Sequence, residues 1–173
     1  TDLMHGTIHV DSKIGKGTAF TVSGIIDCVP VESFKAKVKE KKDYAALSGK
    51  RILLCEDHPM NQEIAKALLE EKQMTVDVAS NGEEGLALFS KSAPGTYAAI
   101  LMDIRMPVLD GYSATRKIRS LPHANAKTIP IIAMTADVFA DDVQRCLAAG
   151  MNNHIAKPVE PDAMYDVLVN VVK

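Results

Sequence analysis

From Arg51 onward, short wholly apolar runs alternate with stretches of helical spacing. Ile52-Leu53-Leu54-Cys55 has the composition of a strand buried on both faces. Pro59 suits the first turn of a helix, where a missing N–H removes no hydrogen bond, and Ile64, Ala65, Leu68 and Leu69 follow at helical spacing. Residues 75–79 alternate, as an edge strand does. Asn81-Gly82 punctuates, and Leu86 and Phe89 mark a second helix. Residues 98–102 form another apolar run, followed by a helix carrying Ala114 and Ile118. Residues 129–134 predict a fourth strand, with Pro130 confined to its start. Phe139, Val143, Cys146 and Leu147 mark the next helix, and Gly150 suits its C′ position. His154-Ile155-Ala156 is a short fifth strand, and Val167, Leu168, Val171 and Val172 line a last helix. Strands alternating with helices predict an α/β fold, a parallel sheet covered on both faces. In such sheets ligands bind at the carboxyl ends of the strands.

The preceding residues have a different texture. Between Gly6 and Val22 the chain alternates and is rich in Gly and Thr, which predicts a β-hairpin turning at Gly15-Lys16-Gly17. The following stretch, with Lys35, Lys37, Lys39, Lys41 and Lys42, has no sustained apolar stripe and reads as a solvated linker. The expected organisation is a hairpin unit over residues 1–30, a charged linker over 31–49 and an α/β domain over 50–173.

Composition narrows the function. A chain of 173 residues holds one full domain with an appendage, and 47% hydrophobic against 24% charged residues excludes wholesale disorder. No apolar run is long enough to suggest a membrane span, so no membrane contact is expected of these residues. Thr1 is not an initiator and the first residues are no signal peptide, so the chain reads as a portion of a longer protein. Three scattered cysteines, Cys28, Cys55 and Cys146, fit a reducing compartment and not a disulfide framework. The net charge of −2 argues against nucleic acid as a partner. Residues 51–173 carry the acidic excess, and its acids fall where the sheet predicts a site.

Glu56-Asp57 end the first strand of the α/β domain, Asp103 the third, Thr135 the fourth, and Lys157-Pro158 the fifth. The separations between Asp57, Asp103, Thr135 and Lys157 are 46, 32 and 22 residues, whole βα units, so all these side chains reach one edge. An Asp after a strand is ordinarily a turn or cap residue. Three carboxylates converging on one edge repel unless a cation joins them, and an oxygen-only donor set favours Mg²⁺ over zinc.

Residues 50–173 resemble the receiver domains of two-component response regulators. The motifs that carry the resemblance are Leu54-Cys55-Glu56-Asp57-His58-Pro59-Met60-Asn61, Leu101-Met102-Asp103-Ile104-Arg105-Met106-Pro107-Val108-Leu109-Asp110-Gly111-Tyr112, Met134-Thr135-Ala136 and Ile155-Ala156-Lys157-Pro158. The resemblance implies a flavodoxin-like, doubly wound, five-stranded parallel sheet of order 2-1-3-4-5. It implies that Asp103 accepts a phosphoryl group from a phosphohistidine. Asp57, Asp103 and the backbone carbonyl of Arg105 would bind Mg²⁺ directly, with Glu56 acting largely through water. Lys157 would pair with a phosphoryl oxygen, Thr135 would hydrogen-bond one after transfer, and Pro158 would follow a cis peptide. The family often has Tyr or Phe three residues before the Lys as a rotameric switch; here that position is His154, either a substituted switch or an exposed imidazole. Arg105 and Asp137 would flank the path of attacking water, as a rate-tuning bridge or as two independent solvated charges.

Residues 4–20 resemble the last hairpin of a histidine-kinase ATPase domain, ending in a Gly-x-Gly-Thr-x-Phe turn. Together the resemblances imply the receiver of a hybrid sensor histidine kinase in a cytoplasmic phosphorelay, its parent a phosphotransferase with membrane anchoring left open. Such a receiver takes its phosphoryl group from the kinase's dimerisation and phosphoacceptor domain. It passes the group to a histidine-phosphotransfer domain or loses it by hydrolysis. By itself this portion supports only self-phosphorylation from a phosphodonor and autodephosphorylation. Two other readings compete: an aspartyl-phosphate phosphatase of haloacid-dehalogenase type, which wants Asp-x-Asp where this chain has Asp103-x-Arg105, and a binding-only module.

Overall fold

The computed structural model describes residues 6–24, 43–136 and 140–172. Cys28, Asp137, Phe139 and residues 31–42 of the expected linker lie outside the described residues. The chain divides into two compact units, Thr1–Lys42 and Asp43–Lys173.

In the first unit, β1 (Thr7–Lys13) and β2 (Gly17–Ser23) pair antiparallel. The turn places Gly15 and Gly17 at φ 76° and 94°, where a side chain would be strained. The register sets Ile8 opposite Val22 and Val10 opposite Phe20, so four apolar side chains share one exposed face of the ribbon.

The second unit contains β3 (Arg51–Cys55), α1 (Pro59–Glu71), β4 (Thr75–Ala79), α2 (Gly82–Lys91), β5 (Ala99–Asp103), α3 (Gly111–Ser120), β6 (Ile131–Thr135), α4 (Ala140–Ala149), β7 (Asn153–Ala156) and α5 (Pro161–Val171). Its five strands are all parallel and run β4-β3-β5-β6-β7, the expected 2-1-3-4-5 order with β4 at an edge. Alternate strand residues feed two cores. Leu53, Cys55, Ile100, Met102, Ile131 and Ala133 meet Phe89, Ala114, Ile118 and Cys146 on one face. Ile52, Leu54, Leu101, Ile132 and Met134 meet Ala65, Leu69 and Leu168 on the other. This two-sided burial explains strands that are apolar without alternation.

Local signals fix the helix starts. Pro59 opens α1. The Asn81 side chain accepts from the N–H of Glu84 (2.9 Å) at the start of α2, while Glu84 Oε2 accepts from the N–H of Ser80 (2.8 Å). Asp110 accepts from the N–H of Ser113 (2.9 Å) at the start of α3. Gly150, at φ 96°, follows α4 as expected.

Three expectations need correction. The linker does not extend to residue 49, because residues 43–49 belong to the second unit. They form a 3₁₀ turn, Ala45–Leu47, whose Leu47 is 0% exposed in the core. Tyr44 packs on Tyr165 with ring centroids 5.2 Å apart, donates from its hydroxyl to Asp166 Oδ1 (3.1 Å), and lies beneath the Lys72 ammonium. A single three-residue turn is too short to repeat a period, so this strap was invisible to periodicity. Ile64 of α1 and Leu147 of α4, counted among the apolar helix positions, are exposed.

Candidate acceptor site

The strand registers set Cys55 beside Met102, Asp103 beside Met134, and Thr135 beside Ala156. Glu56 and Asp57 leave β3, Asp103 and Thr135 end β5 and β6, and Lys157 leaves β7, so all five stand on one edge. Glu56, Asp57 and Asp103 each offer an oxygen within 4.8 Å of the others. Two ligand oxygens on one Mg²⁺ lie about 3–4 Å apart at metal–oxygen distances of about 2.1 Å, so the donor set fits such an ion with one carboxylate acting through water.

The three carboxylates are not equivalent. Glu56 is 2% and Asp103 5% exposed, whereas Asp57 is exposed. Glu56 Oε1 accepts from Asn61 Nδ2 (2.9 Å) and from the N–H of His58 (3.3 Å). Lys157 Nζ donates to Glu56 Oε2 (2.6 Å) and to Asp103 Oδ2 (2.7 Å). Asp103 Oδ1 accepts from the N–H of Arg105 (3.2 Å). Of roughly four acceptor positions on a carboxylate, three on Glu56 are taken by protein donors. Glu56 therefore suits a role through water, and among the described residues nothing donates to the carboxylate of Asp57.

Burial pushes the Asp103 carboxyl above its usual range, and the nearby Glu56 adds to this against the pull of Lys157. Burial works against the Lys157 ammonium, but its bonds to Asp103 and Glu56 outweigh this and raise it. One ammonium facing three carboxylates leaves an excess of negative charge, which suits a divalent cation.

The backbone around Asp103 is tightly fitted. A Cβ on Gly111 would overlap the carbonyl oxygen of Asp103, so only glycine lets α3 start this close to the end of β5. Between them, the Gly111 N–H donates to Ile104 O (3.0 Å), Leu109 N–H to Pro107 O (2.7 Å), and Gly82 N–H to Leu109 O (3.1 Å). These bonds hold Val108 at φ 66°, a region a β-branched residue otherwise avoids.

The Response regulator receiver domain family model matches residues 52–169. The chain belongs to the response regulator receiver family. The receiver domain of a sensor histidine kinase from Pseudomonas aeruginosa, with a magnesium ion coordinated in its active-site cleft, is 40% identical, with a TM-score of 0.64 over 72% of this chain and 98% of that one. The receiver of Ssk1 from Saccharomyces cerevisiae, solved with the histidine phosphotransfer protein Ypd1, is 26% identical with a TM-score of 0.64, covering 72% and 90% of the two chains. The autoinducer 2 sensor kinase/phosphatase LuxQ of Vibrio vulnificus is 31% identical over 98% of this chain, hairpin included, but only 19% of LuxQ is covered. The chain spans 7% to 19% of the length of such curated relatives.

The receiver edge gathers Glu56, Asp57, Asp103, Thr135 and Lys157, and the Lys157–Pro158 peptide is cis as expected. Thr135 is buried, and its carbonyl accepts from the N–H of Lys157 (2.8 Å). His154 is not on that edge: it sits half-buried inside β7, opposite Ala133. The Arg105 side chain is exposed, and its expected partner Asp137 lies outside the described residues. Sequence reasoning held Asn61 in its first motif without giving it a role and missed Gln62, whose Nε2 donates to the carbonyl of Glu56 (2.6 Å). Their spacing, five and six residues past Glu56 on the first turn of a helix, was the only signal.

Proposed function

We propose that this receiver accepts a phosphoryl group on Asp103 from a phosphohistidine, within a hybrid histidine kinase. The observation that supports it is the buried carboxylate of Asp103, flanked by Glu56, Asp57 and the Lys157 ammonium at 2.7 Å. Asp57, Asp103 and the Arg105 carbonyl would hold a Mg²⁺ directly, with Glu56 acting through water, and the ion would neutralise charge on the transferring group. An Asp103 oxygen attacks phosphorus in line, the P–N bond of the donor breaks, and the imidazole nitrogen keeps the electron pair. Transfer of this kind has a loose, metaphosphate-like transition state, so positioning and electrostatics carry the catalysis. In this reading Lys157 leaves its carboxylate partners for a phosphoryl oxygen, and the Thr135 hydroxyl bonds another.

The donor and the next acceptor are proposed to be histidine-bearing helical domains: the kinase's own dimerisation domain and a histidine-phosphotransfer domain. Met60 and Ile64, one helical turn apart on α1, are 67% and 49% exposed, and Val108 of the β5–α3 loop is 75% exposed. These flank the motifs that carry Asp57 and Asp103 and offer an apolar surface beside a charged site. The Ypd1–Ssk1 complex supports a partner of this class. The hairpin is proposed to be the end of a kinase ATPase domain, in keeping with the LuxQ alignment that spans it. Cys55 and Cys146 are buried and form no disulfide, in keeping with a reducing, cytoplasmic setting.

Incubation with acetyl phosphate and Mg²⁺, read by intact mass, tests the reading. One phosphoryl group should be gained, dependent on the metal and lost in Asp103→Asn. Equal labelling of that variant would refute Asp103 as acceptor.

A further inference from the structure

Glu56 is held more completely than any other acid of the site. Its backbone N–H donates to Ala79 O (3.0 Å) and its carbonyl accepts from Gln62 (2.6 Å). Its carboxylate is pinned on one oxygen by Asn61 and the His58 N–H, and on the other by Lys157. Glu56 and Asp103 are like charges sharing one ammonium. Without a donor on the outer side, rotation of the Glu56 carboxylate would redistribute that ammonium between them. Asn61 is exposed as a residue, yet its Nδ2 reaches the buried Glu56 carboxylate.

We infer that Asn61 is a positioning residue of the acceptor site: its amide fixes Glu56 in the orientation that presents one oxygen to Lys157 and leaves one acceptor position for a metal-bound water. Gln62 assists by fixing the Glu56 backbone. This inference rests on the divalent-cation reading of the site. Groups that orient the ligands of a metal commonly set its affinity within a tenfold to hundredfold range, about tenfold being expected where the oriented ligand acts through water.

The test is Mg²⁺ titration by calorimetry of the full chain as wild type, Asn61→Ala, Glu56→Ala and the double variant. Asn61→Ala should weaken Mg²⁺ about tenfold in the wild-type background and leave affinity unchanged where Glu56 is already absent. In the metal-free protein the Lys157 ammonium resonance should also shift in Asn61→Ala, since the amide and the ammonium share one carboxylate. Unchanged Mg²⁺ affinity in Asn61→Ala, with the wild type binding normally, overturns the inference alone. An equal loss in the Glu56→Ala background also overturns it, because Asn61 would then act only on the first turn of α1. Absence of Mg²⁺ binding by the wild type overturns the cation reading beneath it.

Discussion

Replacing Lys157 by Met keeps the aliphatic stem and removes the one ammonium shared by Glu56 and Asp103. Those carboxylates are 2% and 5% exposed and lie 2.6 and 2.7 Å from the Nζ. Removing one partner of a buried pair leaves uncompensated charge, at about 3–5 kcal/mol when burial is complete. The lysine side chain is 20% exposed, so water enters the vacated space and about 2–3 kcal/mol is the better expectation at pH 7 without metal. The pH dependence separates charge from packing. In Lys157→Met the Asp103 carboxyl, pushed up by burial and no longer pulled down by the ammonium, keeps a folded pKa above its unfolded one, so lost stability returns as pH falls through the folded value and the acid becomes neutral. In the wild type the raised Lys157 pKa contributes stability that is full below its ordinary 10.5 and is lost as pH rises through the folded value. Urea melts from pH 4 to 8 in chelator, repeated in Mg²⁺, measure the first, and melts carried above pH 10.5 measure the second. The variant should recover toward the wild type at low pH, and Mg²⁺ should stabilise it more than it stabilises the wild type. A loss that is the same at every pH and blind to Mg²⁺ would refute the electrostatic account and leave packing as the cause.

Leu47→Ala empties a fully buried site in the strap and should destabilise the domain by about 2–4 kcal/mol in the same melts; a loss under about 0.5 kcal/mol would return residues 43–49 to the linker. Gly111→Ala must push α3 off the Asp103 carbonyl, so it should destabilise by about 1–3 kcal/mol and lower the rate of acetyl-phosphate labelling; a wild-type rate would show that the acceptor backbone tolerates the shift. The Cys55 thiol is pushed up to about 12 by burial, with Glu84 adding to it, so iodoacetamide at pH 8 should modify it only after unfolding; labelling as fast as a free thiol would contradict its place in the core.

The sheet was legible in the sequence because its strands are buried on both sides. Ile52-Leu53-Leu54-Cys55 must feed two cores, so every position is apolar and the run stands out against its neighbours. The α1 and α4 faces were less legible. Ile64 and Leu147 obey helical spacing but point to water, because periodicity reports that a residue is apolar and not what covers it. The strap failed for the opposite reason: Leu47 is fully buried, yet a single turn just after a charged stretch has no period.

The same distinction runs through the site. Glu56, Asp57, Asp103, Thr135 and Lys157 were legible because topology places every strand end on one edge, however far apart they stand in the chain. Their number in the sequence already fixes their place in space. Asn61 and Gln62 obey no such rule. They reach Glu56 only because Pro59 starts α1 at once and the first turn folds back over the strand end. An Asn two residues into a helix is ordinary in a sequence, and its amide becomes informative only when a buried carboxylate oxygen is found 2.9 Å away. The groups placed to react are therefore set by the order of the strands, while the groups that orient them are set by the local path of the turn. Exchanging Asn61 should accordingly alter how tightly the site holds its cation without altering which residue accepts the phosphoryl group.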